Sequence, residues 1–322
     1  MYFPYLYGKQ KELIAIRQLA EQLATDGVVQ AVLEPVREDI PTLRITLDQC
    51  ERQKLTNWVV VNPDLLEFRD FSPKESWEWG RDMLDALKTR KYTRPALSLS
   101  GNTTDKVIEA FNREYAGEEV GLVVHPSLSN LDAVLSKLNQ VKVQRVFFKG
   151  PGPSNADLKV AGMNKCVWVK DRFPHRARNA DYEGRHFFSD RHVTYKSMEL
   201  AGFSDYTILP PLPSDGGGPP GAVAFHMSYI NLRRPDKELW VEHFVSDEKD
   251  QKVKDNDGKF LEALAKYQQA VIRPDSDFGL TEAAKEYLDR AEDENPPALG
   301  TNKQLEIMHH LELVSGLLVG RF

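Results

Sequence analysis

Only two cysteines occur in the 322 residues, Cys50 and Cys166. They lie far apart and neither belongs to a CxxC pair, which argues against a disulfide framework or a structural zinc site and fits a reducing cytoplasm. No apolar run of about 18 residues exists, so no transmembrane helix and no membrane partner is expected. The opening Met-Tyr-Phe-Pro-Tyr-Leu lacks a basic n-region and reads as a first strand rather than a leader peptide. Acidic residues outnumber basic ones, 48 to 42, for a net charge of −6. Bulk attraction to nucleic acid or an acidic membrane is therefore not expected, although a local basic patch stays open. There is no glycine-rich phosphate loop, no Gly-x-Ser-x-Gly elbow and no His-Glu-x-x-His helix. Gly216, Gly217 and Gly218 sit in a proline-rich loop with no helix to open.

What is present is a rhythm. Apolar runs at 2–7, 28–36, 58–61, 94–99, 120–124, 143–148 and 164–169 read as strands, and several consist of the continuous apolar residues expected of parallel strands buried on both faces. Helical stripes fall between them, over 11–24, 41–54, 74–91, 104–115 and 130–138, with a short crossover at 154–160. The spacing predicts an α/β fold, a single (β/α)8 TIM-like barrel over residues 1–245. The run 222–230 is expected to close it, and 239–245 is a further strand candidate. Residues 173–195 read as a long polar loop with a helix near its end. Residues 246–322 read as a helical extension packed on the barrel, with helices at 259–272, 280–290 and 302–318.

A barrel of this kind carries its site at the C-terminal ends of its strands. Glu34 ends the second strand, where an apolar surround suits a carboxylate for general acid/base work; the alternative is a carboxylate paired with an inward cation that holds the rim together. His125 ends the fifth strand as a candidate acid/base or ligand. Lys9 after the first strand and Lys149 after the sixth suit anion binding, or a Schiff base if desolvated. Lys149 precedes Gly150-Pro151-Gly152, whose amides could face an anion. Asn62, Asp64 and Ser98 add polar groups to the same end. The densest basic stretch, 170–192, holds Asp171, Arg172, His175, Arg176 and Arg178 beside Phe173, Tyr182 and Phe187; it is expected to fold over the rim and grip phosphates, the alternative being a solvated loop laced by acids. Of His309 and His310 on the last helix, one is expected to pack and the other to face solvent. Neither a cofactor nor a metal site is indicated.

Several strings share an order with one family. Tyr2-x-Pro4-x-Leu6 with Gly8, Lys9 and Glu12, then Leu33-Glu34-Pro35, Phe173-Pro174, Phe203-Ser204-Asp205-Tyr206, Lys259-Phe260, Gly300-Thr301 and His309-His310-Leu311 resemble the bacterial and phage "beta protein" family. That resemblance implies a barrel-type fold and a setting among bacterial mobile elements or phage-defence genes. It supplies no mechanism, and where the family pattern has an acidic residue after the sixth strand this chain has Lys149.

Three functions stay open. One is a barrel that binds or processes a phosphorylated small molecule or nucleic acid at its rim, within a mobile-element or anti-phage module. Another is a small-molecule lyase or hydrolase using Glu34 with Lys149 or His125. The third is a non-catalytic subunit that binds a protein partner in a defence complex. The scaffold alone does not choose among them.

Overall fold

A computed structural model describes residues 1–85, 91–214 and 221–322. The end of the third expected helix and the glycines 216–218 lie outside the described residues. The chain forms two compact units, one from residues 1–171 and 191–206, the other from 172–190 and 207–322.

The first unit runs through β1 (Tyr5–Leu6), α1 (Gln10–Asp26), β2 (Val32–Leu33), α2 (Pro41–Gln53), β3 (Asn57–Val60), α3 (Pro73–Asp85) and β4 (Thr93–Leu99). It continues with α4 (Asp105–Glu114), β5 (Glu119–Val124), α5 (Leu131–Lys137), β6 (Lys142–Phe148), α6 (Asn155–Ala161) and β7 (Cys166–Val169). The chain then contributes β8 (Arg185–Ser189) to the second unit and returns with α7 (Arg191–Thr194) and β9 (Gly202–Ser204). Eight strands lie side by side in the order β1-β2-β3-β4-β5-β6-β7-β9, each pair parallel. A parallel bridge joins Tyr2 to Phe203, and the amides of Phe3 and Tyr5 donate to the carbonyls of Phe203 and Asp205, each at 2.9 Å. The last strand thus meets the first, and the unit is a β/α barrel.

Local sequence explains the closure. Gly202 brings β9 so near the N-terminus that a Cβ there would lie 2.3 Å from the Met1 carbonyl oxygen. Bulk inside the barrel is shared unevenly: Trp58 and Phe147 meet edge to face at 6.0 Å, and Gly121 leaves the room that Trp58 occupies. On the outside, α1 buries Leu13, Ile16, Leu19, Ala20 and Leu23, the expected stripe.

The second unit corrects the sequence reading in four ways. The stretch expected to close the barrel is instead β10 (Ala224–Asn231), which pairs antiparallel with β11 (Leu239–Val245) from Ala224↔Val245 to Ile230↔Leu239. A hairpin partner so close along the chain is entropically cheaper to reach than a distant barrel edge. Part of the supposed loop, Arg185–Ser189, is a strand on the far side of β11, and the sheet order is β12-β10-β11-β8 with β12 at Ser276–Asp277. The barrel ends at 206 rather than 245, and the C-terminal helices α8 (Asn256–Val271), α9 (Glu282–Glu292) and α10 (Leu299–Val319) belong with this sheet. Phe225 of the sheet stacks on Phe260 of α8 and on Tyr287 of α9, and Phe244 meets Tyr267 of α8 edge to face. Finally, both His309 and His310 are buried, because α10 is enclosed against β10: His310 Nδ1 lies 2.6 Å from Ser228 Oγ and His309 Nε2 lies 2.7 Å from the Ser228 carbonyl oxygen.

Candidate functional site

The apolar strands of the barrel end in polar residues, and parallel pairing aligns those ends. Glu34 follows β2, its amide bonded to the Leu6 carbonyl; His125 follows β5, bonded to Leu99; Lys149 follows β6, bonded to Val124. Ser98 is the penultimate residue of β4, and Asn62 comes just beyond β3. Asn62 extends the ladder with its side chain, donating from Nδ2 to the Ser98 carbonyl at 2.8 Å and accepting the Ser98 amide at 2.7 Å. Ser98 Oγ lies 2.9 Å from His125 Nε2.

Across the barrel, Lys149 Nζ donates to Glu34 Oε2 at 3.2 Å. The pair is enclosed, with Glu34 0% and Lys149 8% exposed. Tyr5 also donates to Glu34 Oε2, at 2.6 Å, and the Lys149 ammonium stands 4.7 Å and 5.6 Å from the Tyr5 and Tyr7 ring centroids. Tyr7 in turn stacks on Tyr206 at 6.0 Å. Glu34 Oε1 is buried and has no protein hydrogen-bond partner among the described residues.

The field of this pair reaches its neighbours. Burial, then the Lys149 charge, pushes His125 down to about 4, against a smaller opposing pull from Glu34, so its imidazole is neutral at pH 7. Desolvation, then the Glu34 charge, raises the Asp64 carboxyl against a smaller opposing pull from Lys149, although Asp64 itself reaches the surface. Burial first, then the carboxylate of Glu34, holds Tyr5 well above the usual phenol range, so it is a donor at any physiological pH. Asn62, Asp64 and Ser98 line a cleft of about 450 Å³ together with Arg69, Phe71 and Ser100.

The other candidates are placed differently. Lys9 occupies the N-cap position of α1, on the same end of the barrel, and is half-buried. Asp171 is exposed beyond β7 and belongs to the barrel unit. Arg172, His175, Arg176 and Arg178 belong to the second unit. There the Arg176 amide donates to Tyr182 Oη at 3.2 Å and Arg178 grips Asp181 with bonds of 3.0 Å and 2.6 Å. The Gly150-Pro151-Gly152 turn is a packing device: a Cβ on Gly152 would strike the Trp168 ring, whose Nε1 donates to the Gly150 carbonyl. Among the described residues no group of three or more His, Cys, Asp or Glu is arranged to hold a metal ion. No described helix is long and apolar enough to cross a membrane.

Sequence reasoning missed the tyrosines around Lys149. Tyr5 and Tyr7 stand two apart, the spacing that points side chains to one face of a strand, and that was the available signal. Tyr206 follows β9, whose three residues carry too little pattern to reveal where it lands.

No protein-family model and no curated protein sequence matches the chain. Among solved structures it is similar to a mutant form of the Thermobaculum terrenum O-GlcNAc hydrolase, at 9% identity and a TM-score of 0.39, covering 64% of this chain. The match spans about half of that structure, 54% of its length. The barrel assignment rests on the strand order and its closure.

Proposed function

We propose that the barrel unit is an acid–base enzyme of the lyase or hydrolase class, acting on a small anionic molecule at the C-terminal rim of its strands. The observation that carries this reading is Glu34 Oε1, a buried carboxylate oxygen without a protein partner at the end of a barrel strand. Buried polar atoms are nearly always satisfied, and an exception at a strand end suits a group that takes a proton from a bound molecule. Glu34 is the proton acceptor. Lys149, fixed by Glu34 and by the tyrosine rings, is the cation that orients the anion and offsets charge developing in the transition state. His125 is neutral and bonded to Ser98, so it can pass a proton between the cleft and the rim. Arg69 offers a second positive charge in the cleft.

The resemblance in motif order to the beta protein family supports placing this chemistry in a bacterial mobile-element or phage-defence setting.

A chromogenic panel tests the reading: p-nitrophenyl phosphate and sulfate as anions, p-nitrophenyl acetate and glucoside as neutral comparators. Turnover of an anionic member is expected, with Lys149→Met raising KM about tenfold or more and Lys149→Arg retaining part of the affinity. Absence of turnover on the anionic members, or Lys149→Met behaving as wild type, overturns it.

A further inference from the structure

The second unit contains a cleft of about 700 Å³ that is separate in sequence from the barrel rim residues. That is ample for a ligand of nucleotide size. Arg178, His226, Lys249 and Lys303 line it, and no Asp or Glu is among its described lining residues, although the whole chain is acidic. Arg178 is paired with Asp181, and Lys303 Nζ stands 3.0 Å from Glu306 Oε2, but neither carboxylate lines the cleft. Lys249 donates to a neutral acceptor, the Ala180 carbonyl, at 3.2 Å.

Two further features point into the same cleft. The first turn of the 21-residue helix α10 contributes Leu299, Asn302 and Lys303 to its wall. The helix has Ala298 at its N-cap, with no side-chain cap, and its first intrahelical bond is Asn302 amide to Ala298 carbonyl at 2.9 Å. The amides of residues 299 to 301 therefore have no helical acceptor, and the positive end of the helix dipole faces the wall they belong to. Independently, His226 lines the cleft while only 5% exposed. Its Nδ1 lies 2.8 Å from His243 Nδ1, and its Nε2 has no protein partner among the described residues. Phe173 and Tyr182 pack on the imidazole at 4.9 Å and 4.5 Å between ring centroids, which fixes its plane.

We propose that this cleft binds the phosphate end of a small phosphorylated molecule. A helix N-terminus supplies backbone amides, Lys249 and Lys303 supply ammonium groups, the second held by Glu306 at 3.0 Å, and His226 supplies a rigid imidazole nitrogen; phosphate oxygens accept from all three. The alanines 177, 180, 222 and 224 along the wall leave a smooth apolar surface for the organic part. The inference stands apart from the barrel proposal, since no residue is shared.

Titration calorimetry of the full chain with pyrophosphate and with adenosine diphosphate tests it. Saturable one-to-one binding is expected for at least one of the two, with Lys249→Met and Lys303→Met each weakening it about fivefold or more and His226→Gln more strongly. Glu34→Gln should bind as wild type, which separates this site from the rim. Lys249 is exposed, so its variant tests the claim even if His226→Gln does not fold. No saturation by either probe up to about 10 mM, or unchanged affinity in both lysine variants, overturns the proposal.

Discussion

Glu34 and Lys149 stand 115 positions apart in the chain and meet at 3.2 Å where β2 and β6 end. Burying two charges costs several kcal/mol per ion, and their attraction offsets this only while both are present. Removing one partner should therefore hurt more than removing both. Lys149→Met is expected to destabilise the barrel unit by roughly 3–5 kcal/mol, and Glu34→Gln combined with Lys149→Met to recover a large part of that. Urea unfolding of the two single variants and the double variant gives the coupling. A double variant as unstable as the sum of the singles would mean the two groups do not depend on each other.

Gly80 marks the contact of α3 with the end of β3. A Cβ there would fall 1.6 Å from the Val61 carbonyl oxygen, so helix and strand would have to separate. Gly80→Ala should cost at least about 1–3 kcal/mol, although alanine is the better helix former. An unchanged urea midpoint would show that the helix does not rest on Val61 as described.

Stability should fall in mild acid through the second unit. His309 is fully buried; its Nε2 must donate to the Ser228 carbonyl, so its Nδ1 accepts from Thr281 Oγ1 at 2.8 Å. Burial first pushes its imidazole from 6.5 down to about 4, and burial followed by His186 pushes His243 down to about 3. The unfolded chain takes up these protons near pH 6.5 while the folded chain resists. The contribution is therefore complete above 6.5 and is lost as pH falls from there toward 4 and 3. Each imidazole accounts for at most roughly 3–5 kcal/mol over the full window. His309→Gln should flatten the slope of unfolding free energy between pH 7 and 4.5; an equal slope in the variant would remove His309 from the explanation.

Much of the barrel was legible because a parallel strand buried on both faces is a run of apolar residues with an abrupt polar end. Val32-Leu33-Glu34, Val123-Val124-His125 and Phe147-Phe148-Lys149 all have that form, and the rim candidates came from it. What stayed hidden depends on partners remote in sequence. Arg185–Ser189 carries charge in the middle of a polar stretch and reads as loop; it is a strand because Asp275 and Glu242 neutralise Arg185 at 2.9 Å and 3.4 Å. Gly202–Ser204 is too short to show any period, yet it closes the barrel and delivers Tyr206 to Tyr7. The burial of both histidines on α10 reflects contacts on two faces of that helix, which a single stripe does not announce.

The central claim is that Glu34 takes a proton from the water that attacks the bound anion, as the p-nitrophenolate leaves, rather than only anchoring Lys149. It is tested most directly by comparing kcat/KM of wild type and Glu34→Gln on the anionic substrate that the chromogenic panel identifies, with unfolding measured on the same preparations. Glutamine keeps the size and can still accept the Tyr5 hydroxyl and the Lys149 ammonium, but it does not serve as a base. The expected result is a loss of about 10²–10⁴-fold in kcat/KM with the fold retained. A folded Glu34→Gln protein with wild-type kcat/KM would contradict the claim and leave Glu34 as the counter-ion of Lys149 alone.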